Sequence, residues 1–132
     1  MRSPRRLPAL VDSWFDLLPE DQRLTSQQLH AAIMAAAPEA DMLVRSGNLY
    51  YGMGHEHALA LAPHRTHVHL QVLTFGEPSP AFPELQRSGK GLMWRFKLGE
   101  AFDAPAVQRL ATVVFSVMAM PPTRPPSRSY RD

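Results

Sequence analysis

From Pro8 to Leu18 the apolar positions Leu10, Val11, Trp14, Leu17 and Leu18 recur at helical spacing, with Asp12, Asp16 and Glu20 at i, i+4 and i+8 on the far side. This predicts an amphipathic first helix ending near Pro19. Thr25 with Gln28 three residues on reads as a capping box, and Leu29, Ala32, Ile33, Ala36 and Ala37 form the apolar stripe of a second helix that stops at Pro38. The period then changes to two. Leu49 and Tyr51, then Leu59 and Leu61, then Val68, Leu70 and Val72 alternate with polar or small residues, which predicts three strands. Short turns at Gly52-Met53-Gly54 and at Pro63-His64-Arg65-Thr66 make them an antiparallel meander. Gly76-Glu77-Pro78-Ser79-Pro80 interrupts the chain, a short helix is expected from Phe82 to Arg87, and Gly89-Lys90-Gly91 turns into a fourth strand from Met93 to Leu98. Asp103 caps a last helix with Pro105 in its first turn, and Val107, Leu110, Ala111, Val114 and Met118 supply its apolar stripe. The order ααβββ(α)βα predicts an α+β domain: an antiparallel sheet of four strands or slightly more, with helices packed on one face.

Alternation also sorts the side chains between the two faces. Pairing Ala62 with His67 across the second turn places Leu49, Leu59, Leu61, Val68, Leu70 and Val72 beneath the helices. The open face then holds Tyr50, Ala58, Ala60, Ala62, His67, His69 and Gln71, and the fourth strand adds Arg95 and Lys97. Small residues in the middle, ringed by imidazoles, a phenol and two cations, suit a shallow site for an anionic ligand.

The chain has 132 residues, 45% hydrophobic and 20% charged, enough for one domain with one core. It lacks cysteine, which excludes disulfides, thiolate metal sites and cysteine nucleophiles. The sequence pI of about 9.4 suggests a nucleic-acid binder until the charges are placed. Arg2, Arg5 and Arg6 precede the first helix, and Arg124, Arg128 and Arg131 follow the last. Between them lie 8 basic and 11 acidic residues, a net of −3. Residues 1–7 therefore read as a flexible basic N-terminus, 8–119 as the domain, and 120–132 as a disordered Pro/Arg-rich tail. Specific nucleic-acid binding is not expected, and no apolar run approaches a membrane span. A cytoplasmic protein is the expectation.

Five of the six histidines, His55, His57, His64, His67 and His69, fall within fifteen residues. Pairs spaced i, i+2 put both rings on one side of a strand, and such a pair can hold a metal if a third ligand joins it. His57 falls on the opposite face in this pairing, and Arg95 and Lys97 would repel a cation. No glycine-flanked serine elbow occurs, and Gly89-Lys90-Gly91 lacks the rest of a phosphate-binding loop. No cofactor motif and no catalytic residue is assigned. Asp12, Asp16 and Glu20 form an acidic ridge that could gather cations through oxygen ligands.

At Asn48-Leu49-Tyr50-Tyr51-Gly52, Ala62-Pro63-His64-Arg65-Thr66-His67-Val68-His69-Leu70, Gly76 and Ser88-Gly89-Lys90-Gly91, the chain resembles the YdhG-like family of small bacterial proteins. The resemblance spans roughly Leu10 to Met118 and implies an α+β domain with an antiparallel sheet. Most members have no established function, and some are described as frataxin-like iron chaperones, which would give Asp12, Asp16 and Glu20 a role in collecting iron. His64, His67, Lys90 and Lys97 are the positions that match. Where the family pattern commonly runs Met-Arg-His-Val-Lys, this chain reads Met93-Trp94-Arg95-Phe96-Lys97.

Three functions follow as expectations. The first is a non-catalytic binding module taking a small anionic ligand or a protein partner through Tyr50, His64, His67, His69, Lys90, Arg95 and Lys97. The alternatives are an intracellular iron chaperone and a small enzyme with a histidine acid or base.

Overall fold

A computed structural model describes residues 8–74, 77–89 and 91–119 of the chain. The basic N-terminal segment, the Pro/Arg-rich tail, Gly76 and Lys90 lie outside the described residues. Helices α1 (Pro8–Asp16) and α2 (Glu20–Ala36) precede five antiparallel pairings among six strands: β1 (Asp41–Arg45), β2 (Asn48–Met53), β3 (Glu56–Pro63), β4 (His67–Val72), β5 (Gln86–Ser88) and β6 (Gly91–Lys97). Helix α3 (Ala104–Ala119) closes the domain. The sheet order is β1-β2-β3-β4-β6-β5, and the fold is α+β with an open antiparallel sheet. No helix among the described residues is long and apolar enough to cross a membrane.

One face of the sheet carries the core. Leu49, Tyr51, Leu59, Leu61, Val68, Leu70 and Val72 are fully buried there, with Leu92, Trp94 and Phe96 of β6, against Val11, Trp14 and Phe15 of α1, Leu29 and Ile33 of α2, and Val107, Leu110 and Val114 of α3. The first helix departs from its expected stripe. Val11 and Trp14 are buried as expected, but Phe15 joins them while Leu10 and Leu17 are exposed, at 57% and 84%, Leu17 lying beyond the helix, which stops at Asp16. The Trp14 indole Nε1–H donates to the Gly47 carbonyl at 3.0 Å, tying α1 to the tip of the β1–β2 hairpin. That tip is a two-residue turn with positive φ at both Ser46 and Gly47, the geometry that matches strand twist.

Four expectations need correction. The second helix begins at Glu20 rather than Thr25, because Pro19 sets the extended entry and Glu20 and Asp21 fill the first turn, where acids suit the helix dipole. Thr25 is instead buried in mid-helix, and its Oγ1 accepts the Gly99 backbone N–H at 3.1 Å. Thr25→Val keeps the shape and removes the acceptor, so it is expected to cost about 1 kcal/mol, read as a lower urea midpoint. The sheet has six strands, within the expected four or slightly more, β1 adding an edge beside β2, but the expected short helix at Phe82–Arg87 is a turn closed by Leu85 N–H to Phe82 C=O, followed by β5. The first turn is Gly54-His55, not Gly52-Met53-Gly54, since Met53 pairs with Glu56. Finally, Ala62 pairs with His69 rather than His67. The shift is by two residues, which preserves the faces.

Helix α3 follows its expected outline. Asp103 Oδ1 accepts the Ala106 N–H at 3.1 Å, capping the first turn as its spacing indicates.

Candidate functional site

The register builds the open face row by row. Ala62, His69 and Arg95 lie side by side across β3, β4 and β6, and His67 lies directly opposite Lys97 in the next row. Residues opposite one another on the same face of an antiparallel pair have Cβ atoms about 5 Å apart, so both imidazoles sit beside a cation. The turn after Pro63, closed by His64 N–H to His67 C=O at 2.7 Å, folds a third imidazole back over the strand. Its ring centroid lies 4.1 Å from that of His69, and the His67 ring lies 6.4 Å from His69. Thr66 Oγ1 and His67 Nδ1 share a 2.8 Å hydrogen bond that fixes the outer ring. His64, His67, His69, Arg95 and Lys97 are thus brought together at one end of the sheet.

The electrostatics follow from that crowding. His69 is held down to about 4, first by burial, then by His64, Arg95 and His67 around it. At neutral pH it is an uncharged donor and acceptor, and the fixed charge comes from Arg95 and Lys97. Lys97 shares a 3.8 Å ion pair with Glu100, both side chains being well exposed, which is worth little in water. Among the described residues, no carboxylate lies within ion-pair distance of Arg95. Arg95 and Lys97 also border a recess of about 230 Å³ that includes Glu84, Glu100 and Asp103.

Tyr50 does not join this cluster. It pairs with Ala60 and packs against His57 with the rings tilted at 46° and their centroids 5.1 Å apart. The alternation of β3 puts His57 on the helix side, and the structure corrects this. A β-bulge at Tyr51/Gly52 shifts the β2–β3 register, so that Gly52 faces His57 while Tyr51 faces Leu59, and the extra residue swings the imidazole to the open face. The same bulge sends Ala58 to the core, which Ala60 and Ala62 do not join. Those two alanines are no exposed floor, at 0% and 3%, because Tyr50, His69 and Gln71 stand over them in neighbouring positions. Beyond Tyr50, a depression of about 460 Å³ is lined by residues of β1 and by Gly52, Gly54, His55 and His57.

The acidic ridge is divided. Asp12 and Asp16 belong to α1, whereas Glu20 opens α2 after an intervening break, so the three carboxylates do not share a helix face. Among the described residues, no three His, Asp or Glu side chains are grouped so as to hold a metal ion.

One polar pair has no counterpart in the sequence pattern. His30 Nδ1 and the Tyr51 hydroxyl share a 2.7 Å hydrogen bond between α2 and β2, with the Phe15 ring edge-on to His30 at 5.1 Å. Tyr51 is fully buried and its phenol is pushed up by burial. His30 is pushed down, by burial and against the opposing pull of Asp12. A lone histidine at a helical position carries no local signal of such a partner; only the buried Tyr51 facing α2 reveals it.

Comparison of the chain with protein-family models, with curated proteins and with solved structures returns no match.

Proposed function

We propose that the chain is a non-catalytic binding module whose open sheet face takes a small anionic ligand at His64, His67, His69, Arg95 and Lys97. The supporting observation is the cross-strand register that sets His69 against Arg95 and His67 against Lys97, with His64 folded over them. These side chains supply several N–H donors on a surface open to solvent, the arrangement that recognises carboxylate or phosphate oxygens. Arg95 provides the forked donor and the fixed charge. The imidazoles supply further donors, and His69 can take up a proton as the anion arrives.

The pH dependence has a definite sign. An anion favours the imidazolium, and His69 in the free protein protonates only near 4. Binding therefore draws a proton onto His69, and affinity rises as pH falls from neutrality toward that value.

Inorganic phosphate, pyrophosphate and a dicarboxylate serve as probes in thermal unfolding, since a ligand that binds only the folded state raises its stability by mass action. A rise in Tm that grows at lower pH, and an affinity reduced about tenfold or more by Arg95→Ala or His69→Ala, are the expected results. No stabilisation by any of the three anions would overturn the reading.

A further inference from the structure

We propose that β1 pairs antiparallel with β1 of a second copy, about a two-fold axis at Leu43, joining two six-stranded sheets into one continuous sheet. The two edges of the sheet are not alike. On one side β5 is three residues long, the kind of short strand that blunts an edge. On the other, β1 offers five residues, Asp41-Met42-Leu43-Val44-Arg45, without proline or lysine. Among the described residues, no backbone group outside β2 hydrogen-bonds to its main chain.

The available backbone groups follow from the hairpin. In a two-residue turn the flanking pair exchanges both hydrogen bonds, here Arg45 with Asn48. Counting back by twos, Arg45, Leu43 and Asp41 direct their N–H and C=O toward β2. Met42 and Val44 direct theirs outward. A two-fold at Leu43 sets Met42 of one copy opposite Val44 of the other, so each outward donor meets an outward acceptor. Any register displaced by one residue would set outward groups against groups already used.

The side chains fit the same axis. Asp41, Leu43 and Arg45 share the open face, and Leu43 is exposed at 37%. Pairing about Leu43 brings the two leucines together in the close, non-hydrogen-bonded position and sets Asp41 of each copy opposite Arg45 of the other. Opposite charges in that position attract. Asp41 has one oxygen engaged, Oδ2 accepting the Gly54 N–H at 2.9 Å, which orients the carboxylate and leaves Oδ1 for the partner's arginine. The interface is isologous, since one patch meets itself.

Sedimentation equilibrium of the full chain tests this through charge reversal. The wild type is expected to dimerise with rising concentration. Arg45→Glu sets acids opposite acids, and Asp41→Lys sets cations opposite cations, so each variant alone should associate about tenfold or more weakly. Their equal mixture should recover the dimer, because in the heterodimer the introduced lysine meets the introduced glutamate, while the native Asp41 of one chain meets the native Arg45 of the other. A wild type that stays monomeric to millimolar concentration would overturn the proposal, as would an Arg45→Glu variant that dimerises like the wild type. Arg45 is exposed, so that variant decides the matter even if Asp41→Lys fails to fold.

Discussion

Alanine in place of Gly52 is expected to destabilise the fold by about 3 kcal/mol or more. A Cβ there would overlap the Glu56 carbonyl oxygen and lie 2.9 Å from both the Glu56 carbonyl carbon and His57 Cα. All three atoms are backbone, so no rotamer change relieves the clash, and the β2–β3 bulge must open. That bulge is also what brings His57 beside Tyr50. Urea unfolding should show a lower midpoint with an unchanged slope, together with loss of the Tyr50–His57 contact in NMR spectra. Gly47→Ala is the informative contrast. Gly47 has φ +82° but nothing within 4 Å of the place a Cβ would occupy, so only the backbone penalty of about 1 kcal/mol applies. Equal losses at the two sites would show that close approach at Gly52 is not what matters.

Tyr51→Phe is the second change with a large expected effect, about 1–3 kcal/mol. It removes one member of a buried hydrogen bond and leaves His30 Nδ1 without its partner. Removing both members should cost less than removing one, because two apolar groups of similar shape leave nothing unsatisfied. The double variant His30→Leu with Tyr51→Phe is therefore expected to be more stable than Tyr51→Phe alone. Its pH dependence supplies a second readout. The unfolded chain protonates His30 near its ordinary 6.5, whereas the folded chain does so only at lower pH, so the unfolded state binds more protons in between. The stability due to the neutral imidazole is complete above 6.5 and is lost as pH falls through the lower folded value. His69 contributes in the same direction, over the window from 6.5 to about 4. The double variant should abolish the first contribution and keep the second, giving a shallower fall in Tm on acidification. An unchanged slope would mean that folding does not lower the pH at which His30 takes up its proton.

Where one face of a strand is wet and the other buried, alternation alone reveals it. Val68, Leu70 and Val72 against His67, His69 and Gln71 is such a case, and Trp94 and Phe96 against Arg95 and Lys97 is another. The convergence of His67, His69, Arg95 and Lys97 is legible for that reason, and it does not depend on the exact partner of Ala62, because a displacement by an even number of residues keeps every side chain on its face. β1 is not legible, since the outward Leu43 between Met42 and Val44 hides the period in a continuous apolar run. β5 is too short for any period. The place of His57 depends on a bulge, which inserts one residue without a distinctive sequence beyond Gly52 itself. The division of Asp12 and Asp16 from Glu20 escapes the pattern because i, i+4, i+8 spacing describes one helix only while that helix continues, and here it ends at Asp16. His30 reads as an ordinary polar helix position, because its partner is 21 residues away.

The order in which the sheet is covered bears on how the nascent chain matures. Strands β1 to β4 are joined by successive tight turns, so they can zip up from neighbouring segments, at low cost in loop closure. Helix α2 emerges before them, but α3, which packs against it over the same apolar face, is made only after all six strands. Until residues 104–119 leave the ribosome, Leu59 and Leu61 of β3, the strand that α3 packs against, have only part of their cover. During that interval the half-built domain carries both a greasy face and an unpaired β4 margin awaiting β6, the combination most prone to premature association with other chains.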